Sequence, residues 1–200
     1  MSFVKRMNKS IFVTGGAGYV GSVLVPKLLA KGLRVTVLDL MIYGDNTLDD
    51  HPNLKKQKGD IRNIELLKKI IPGHDSVIHL ACISNDPSFE LNPTLGKSIN
   101  LDAFEPLVKT CMKSKIHKFI YASSSSVYGD SKKFPLNEKN TTDFPLSFYA
   151  ATKKSNEVMA HSYSYIYKLP CTGVRFFTVY GPFGRPDMAL FKFTKNIINK

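Results

Sequence analysis

The segment Thr14-Gly15-Gly16-Ala17-Gly18-Tyr19-Val20-Gly21 constrains this chain more than any other. It follows a short β-branched run, Ser10–Thr14, and opens a pattern of helical period, Tyr19–Ala30. The glycines let backbone pass close to an anion. The helix behind them presents free N–H groups and the positive end of its dipole. No Gly-Lys-Ser/Thr follows, so this is not a P-loop. Gly15, Gly16, Ala17, Gly18, Tyr19, Val20 and Gly21 are candidate contacts to a pyrophosphate. A glycine-rich turn without a ligand is the bland alternative, and the position between strand and helix argues against it.

The rest of the chain repeats that unit. Strands are predicted at Ser10–Thr14, 34–38, Leu54–Lys58, 76–80, 118–123 and 171–177. Helices are predicted at Tyr19–Ala30, 64–71, 93–115 and Phe148–Tyr167, with a last helical pattern at 188–200. Near-continuously apolar strands alternating with helices predict an α/β fold, a doubly wound parallel sheet of the Rossmann type. Pro26 falls inside the first helix and is expected to kink it. The final pattern stops without a Gly or Pro terminator, as if cut inside an element.

Charge needs care, because the net +12 would suit nucleic acid. The lysines, however, are scattered in short groups. A solvated basic surface is the first reading, a groove for a small anion the second, and a nucleic-acid tract the third. No apolar run approaches a membrane span. Cys82, Cys111 and Cys171 have no metal-ligand spacing and are odd in number. Neither a zinc site nor a disulfide framework is expected, and a cytoplasmic protein fits.

Asp39 ends the second strand, 18 residues past Gly21. A carboxylate there accepts ribose hydroxyls and repels a 2′-phosphate. Leu40-Met41-Ile42 supplies no cation to offset it, so NAD is expected rather than NADP. Asp60 and Ile61 after the third strand suit the adenine edge, and Leu80 and Ala81 after the fourth lie beside the cofactor. His79 reads as a packed histidine. Tyr149 and Lys153, four apart at a helix start, share a face. A tyrosine titrates near ~10, and a neighbouring ammonium favours its phenolate. Ser123-Ser124-Ser125-Ser126 at the end of the fifth strand offers a hydroxyl to share a substrate proton, or is a polar turn.

Taken together, Gly-x-x-Gly-x-x-Gly, Asp39, His79-Leu80-Ala81, Ser-Ser-Ser-Val-Tyr-Gly and Tyr-x-x-x-Lys resemble the extended short-chain dehydrogenase/reductase family. Its nucleotide-sugar epimerases and dehydratases match best. The resemblance implies an NAD-dependent enzyme. Tyr149 would be the base and Lys153 the orienter of cofactor and Tyr149. Ser124 would be the hydroxyl partner, with Ser125 and Ser126 as the alternatives in the run, and Asn100 the cofactor-side asparagine. In a 4-epimerase Tyr149 takes the C4 hydroxyl proton while the C4 hydride passes to NAD and returns to the other face of a 4-keto sugar. Dehydratases of the family carry Asp-Glu where this chain has Ser125-Ser126, which argues against dehydration.

The stretch from Ser147 to Lys154 and on through Arg175 to Met188 resembles UDP-glucuronate 4-epimerases. Segment 84–93 departs from them and lacks their arginine. A uronate carboxylate calls for a forked cation, which Arg185 offers, with Thr178 as a second donor. The family's chains also run longer. The resemblance thus implies an NAD-binding domain over 9–180, the start of a largely missing substrate-binding domain over 181–200, and a UDP-sugar substrate. A bare NAD-binding module without turnover is the alternative, as is another epimerase, a dehydratase or a decarboxylase of the family. A homodimer is expected through 93–115 and Phe148–Tyr167. Phe104, Leu107, Val108, Met159 and Tyr163 would be available there, although many would face the sheet.

Overall fold

The computed structural model describes residues 10–44, 46–184 and 188–199. Six strands form one parallel sheet: β1 Ser10–Thr14, β2 Arg34–Asp39, β3 Leu54–Lys58, β4 Ser76–His79, β5 Lys118–Ser124 and β6 Cys171–Phe176. Their order is β3-β2-β1-β4-β5-β6, with all five neighbouring pairs parallel. The direction of winding reverses between β1 and β4. In a doubly wound sheet, ligands bind at the carboxyl ends of the strands flanking that reversal.

Helices α1 Tyr19–Ala30, α2 Ile64–Ile70, α3 Asp86–Glu90, α4 Pro93–Lys97, α5 Phe104–Lys113, α6 Phe148–Tyr167 and α7 Ala189–Ile198 complete the chain. Alternation along β1 divides the core in two. Phe12 packs into a cluster with Val77, Phe104, Leu107, Val108, Phe119 and Tyr121, while Ile11 and Val13 pack with Val25, Leu29, Val35 and Val37 on the other side. The first cluster is built on aromatic contacts, with Phe104 edge-on to Phe119 and Tyr121 at 5.8 and 5.4 Å.

Several expectations are corrected. The single helix over 93–115 is three elements, because a π turn, Ser98–Asp102, separates α4 from α5. Pro106 has no N–H, so it belongs in a first turn where no donor is needed, and α5 starts two residues before it. The short helix α3 was not expected; the Asn85 side chain caps it by accepting from Ser88 N–H, and Pro87 sits in its first turn. Strand β3, Leu-Lys-Lys-Gln-Lys, is not apolar. It is one of the two edges of the sheet, where lysines oppose pairing with another chain. Helix α1 runs unbroken from Tyr19 to Ala30 with Pro26 on its exposed side. Phe104, Leu107 and Val108, offered above as dimer contacts, are wholly buried against the sheet. Met159 and Tyr163 pack on the same cluster. Among the described residues, no helix is long and apolar enough to cross a membrane.

Candidate active site

The loop after β1 is built around close backbone approach. Gly15 has φ +69°, and a Cβ there would lie 2.5 Å from Ala81 N, against the chain leaving β4. A Cβ on Gly21 would lie 2.2 Å from Gly16 O, so α1 folds tightly onto the loop only with glycine at that position. The N-cap residue of α1, Gly18, makes no side-chain cap. The first-turn N–H groups therefore remain for an anion. Tyr19 and Val20 are the first two residues of that turn, and the Tyr19 hydroxyl is buried without a hydrogen-bond partner among the described residues.

Asp39 closes the loop from β2. Its Oδ2 accepts from Ala17 N–H at 3.0 Å and its Oδ1 from Met41 N–H at 2.9 Å. Each carboxylate oxygen keeps a lone pair for a hydroxyl. Asp60 lies just past β3, but Arg62 is folded onto it, with Nε 3.0 Å from both carboxylate oxygens. The hydrogen bond from Arg62 holds the Asp60 carboxyl below the usual range against the opposing effect of burial. Ile61 is buried in the core. Leu80 and Ala81 leave β4 over Thr14: Leu80 N–H donates to the Thr14 carbonyl at 2.9 Å.

His79 is a core residue. It is 4% exposed, its Nδ1 lies 2.7 Å from Thr14 Oγ1, and Phe104 and Phe119 flank its ring. Burial, helped by the Lys153 charge, lowers its pKa to about 3. It is a neutral imidazole at ordinary pH.

Helix α6 begins at a capped turn. Ser147 Oγ accepts from Ala150 N–H at 3.1 Å and itself donates to Asp86 of α3. Tyr149 is 7% exposed, with its ring 6.5 Å from that of Phe89. Lys153 is 2% exposed, and its Nζ donates to the Ala122 carbonyl at 3.0 Å and stands 5.8 Å from the Tyr149 ring centre. Among the described residues no carboxylate forms an ion pair with it. A buried ammonium with one carbonyl partner retains two N–H donors for ligand oxygens. The helix packs on β5 and on the 3₁₀ turn Ser125–Tyr128. Ser124 caps that turn: its Oγ accepts from Ser126 N–H and donates to Ser126 Oγ, both at 3.1 Å. Ser124 is buried, while Ser125 and Ser126 are half-buried.

Asn100 sits in the π turn, 1% exposed. Its Oδ1 accepts from Ile83 N–H and its Nδ2 donates to the Ile83 carbonyl, each at 2.8 Å. Its side chain is thus a clamp on the chain after β4, which is the chain that carries Leu80 and Ala81. Its carbonyl accepts from Asn156 Nδ2 at 2.9 Å. Thr178 is exposed beyond β6. Arg185 lies outside the described residues.

Sequence reasoning passed over Glu157, Arg175 and Asn156. Glu157 stands four residues past Lys153 on α6, a spacing that could have drawn attention to it. Its carboxylate accepts from Ser123 Oγ at 2.6 Å and from Arg175 Nε and Nη2 at 2.8 and 2.9 Å. Burial pushes this carboxyl up, but the hydrogen bonds from Arg175 and Ser123 outweigh it and hold the group below its ordinary value. A separate cavity of about 320 Å³, lined by Arg34, Thr36, Lys55 and His74, opens at the amino ends of β2 and β3, the opposite end of the sheet from these groups.

The strand order, the glycine loop and the acidic end of β2 define a Rossmann domain of the dinucleotide-binding class. A family model described as the NAD dependent epimerase/dehydratase family matches residues 11–200, and the chain belongs to that family. It is 42% identical over 199 residues to Protein CapI of Staphylococcus aureus, covering 94% of this chain and 60% of that protein. It is 41% identical over 206 residues to UDP-glucuronate 4-epimerase 4 of Arabidopsis thaliana, covering 94% of this chain and 46% of that protein. Among solved structures, it resembles a UDP-N-acetylglucosamine 4-epimerase from Methanobrevibacter ruminantium M1 in complex with UDP-N-acetylmuramic acid. The TM-score is 0.89 at 33% identity, over 97% of this chain and 64% of that one. The chain thus spans less than two-thirds of the length of each of these relatives.

Proposed function

We propose that this chain belongs to an NAD-dependent nucleotide-sugar 4-epimerase whose substrate is UDP-glucuronate and whose intermediate is a transient 4-keto sugar. The observation that carries the reading is the pairing on α6. Tyr149 stands one turn from Lys153, a buried ammonium with no counter-ion among the described residues, beside the serine-rich end of β5. In this reading residues 9–180 are the NAD-binding domain and 181–200 begin the substrate-binding domain.

The glycine cradle at Gly15, Gly18 and Gly21 fits a pyrophosphate, because a Cβ on Gly15 or Gly21 would occupy backbone space. Asp39 holds the adenosine ribose, and the Lys153 ammonium holds the ribose at the other end. Bound NAD supplies a reversible acceptor for the hydrogen on C4. Tyr149, as a phenolate whose negative charge the Lys153 ammonium stabilises, takes the C4 hydroxyl proton, and Ser124 hydrogen-bonds the same oxygen. Positioning of sugar and base together lowers the barrier further. Thr178 and Arg185 read the uronate carboxylate. Cytoplasmic residence and a homodimer belong to the same reading.

One observation favours a neutral nucleotide sugar instead. The chain between Ser84 and Asn92, which lies against Tyr149 through Phe89, contains Asp86 and Glu90 and no cation. A panel of UDP-glucuronate, UDP-glucose and UDP-N-acetylglucosamine offered to the full-length protein separates the two. In that assay Tyr149→Phe should lower turnover by at least ~10²-fold while NAD stays bound. Near-normal turnover would remove Tyr149 as the base.

A further inference from the structure

Tyr149, Lys153 and Glu157 recur at every fourth residue of α6, and the third has no part in the chemistry above. We propose that Glu157, clasped by Arg175 and Ser123, is a positioning residue that sets the roll of α6 against β5 and so the placement of Tyr149 and Lys153 opposite Ser124. The inference rests on the epimerase reading for its catalytic consequence, though not for its geometry.

Three elements meet at this carboxylate. Ser123 of β5 and Arg175 of β6 are direct partners in the parallel ladder, and both reach the same Glu157 side chain of α6. The Arg175–Glu157 contact is a fork with two parallel N–H donors, which fixes direction as well as distance. Arg175 is itself held in place. Its guanidinium carbon lies 4.9 Å from the Tyr128 ring centre, and its Nη1 donates to the Glu138 carbonyl at 3.3 Å. The pair is screened from water, with side chains 19% and 15% exposed. It therefore has a defined geometry that surface ion pairs lack.

The second pin is one turn away. Lys153 Nζ donates to the Ala122 carbonyl and Glu157 accepts from Ser123, so successive residues of β5 are tied to successive turns of one helix face. A helix pinned at a single point can roll about it. Two pins a turn apart remove that freedom. The next residue of β5 is Ser124. The arrangement thus fixes the hydroxyl, the ammonium and the phenol as one rigid set, where a displacement of about 1 Å can cost ~10²-fold in rate.

The test compares wild type with Ser123→Ala, Glu157→Gln and the double variant Glu157→Leu/Arg175→Met in the full-length protein. The double variant replaces the pair by apolar side chains, an exchange that often preserves folding. Crystal structures and kinetics are read on each. In Glu157→Gln and the double variant α6 should roll about the remaining Lys153–Ala122 contact and carry Tyr149 away from its wild-type place opposite Ser124. Their kcat should fall by about 10- to 100-fold, with KM and NAD affinity within about twofold, the signature of lost alignment rather than lost binding. Ser123→Ala, which leaves the Arg175 fork intact, should lower kcat by a smaller factor. If α6 superimposes on the wild-type helix in every variant, or if kcat falls only in proportion to NAD affinity, the proposal is overturned. If wild type epimerises no nucleotide sugar, the epimerase reading fails, and the position of α6 in the variants still decides the role of Glu157.

Discussion

His79 makes the stability of this domain depend on pH in a window where few other groups act. Its ring is 4% exposed between two phenylalanines, with a single hydrogen-bond partner in Thr14. Burial first and the Lys153 charge second lower its pKa from 6.5 to about 3. An unfolded chain therefore takes up this proton near pH 6.5, whereas the folded chain refuses it until about pH 3. Stability is complete above 6.5 and is lost as pH falls from there toward 3. At 1.36 kcal/mol per pH unit, moving from pH 7.5 to pH 5.0 should remove about 2 kcal/mol through this group alone. Carboxylates of the unfolded chain titrate near ~4.3 and contribute little in that interval. His74 is shifted down by burial as well, so it adds a loss of the same sign. The perturbation that isolates His79 is His79→Gln, which keeps an acceptor for the Thr14 hydroxyl and cannot be protonated. Urea unfolding at pH 7.5 and 5.0 should show a stability difference about 2 kcal/mol smaller in His79→Gln than in the parent, whatever the variant's stability at neutral pH. Equal pH dependence in the two proteins would refute the claim that His79 is held neutral.

Gly15→Ala should destabilise the domain by at least about 2 kcal/mol in urea, because the new methyl meets backbone of Ala81 at a φ of +69°. A change below about 0.5 kcal/mol would mean the loop can move away from β4. Sedimentation equilibrium of the full-length protein should report a homodimer. The contact would use the outer face of α6, where Val158, Tyr165 and Ile166 are exposed. A monomer at high concentration would remove that part of the reading.

The parts legible in the sequence were those governed by local period and local chemistry. Tyr19–Ala30 and Phe148–Tyr167 could be bounded to the residue, because glycine precedes the first and Ser147 caps the second. Strand ends fell within a residue for the same reason. That the sheet is parallel followed from strand–helix alternation, and the order of its strands came from the structure. What could not be read were the partners of polar side chains across the fold. Asn100 is joined to Ile83, Glu157 to Arg175 and Arg62 to Asp60, and only the last pair is near in sequence. The direction of Phe104, Leu107 and Val108 was equally hidden, because an apolar stripe specifies a buried face without naming what covers it. The break in 93–115 had one visible sign, Pro106, and its cause lies in packing. Gly96 sits against the Phe89 ring on one side of the break, and Phe104 is seated in the core on the other.

That break has a consequence for how this gene can vary. A π turn holds one residue more than the α-helix it interrupts. Removing one residue between Ser98 and Asp102 would let the segment close into a regular α-helical turn, with α4 and α5 kept in the same register. Phe104, Leu107, Val108 and Cys111 would still face the sheet, and the cost would fall on Asn100, which would lose Ile83. Point substitutions on the exposed side of this stretch carry no such penalty. Length here therefore serves the clamp and not the helix faces: a one-residue gap placed within this segment by aligning two sequences would mark the loss of the Asn100–Ile83 hydrogen bonds, with the fold beyond it unchanged.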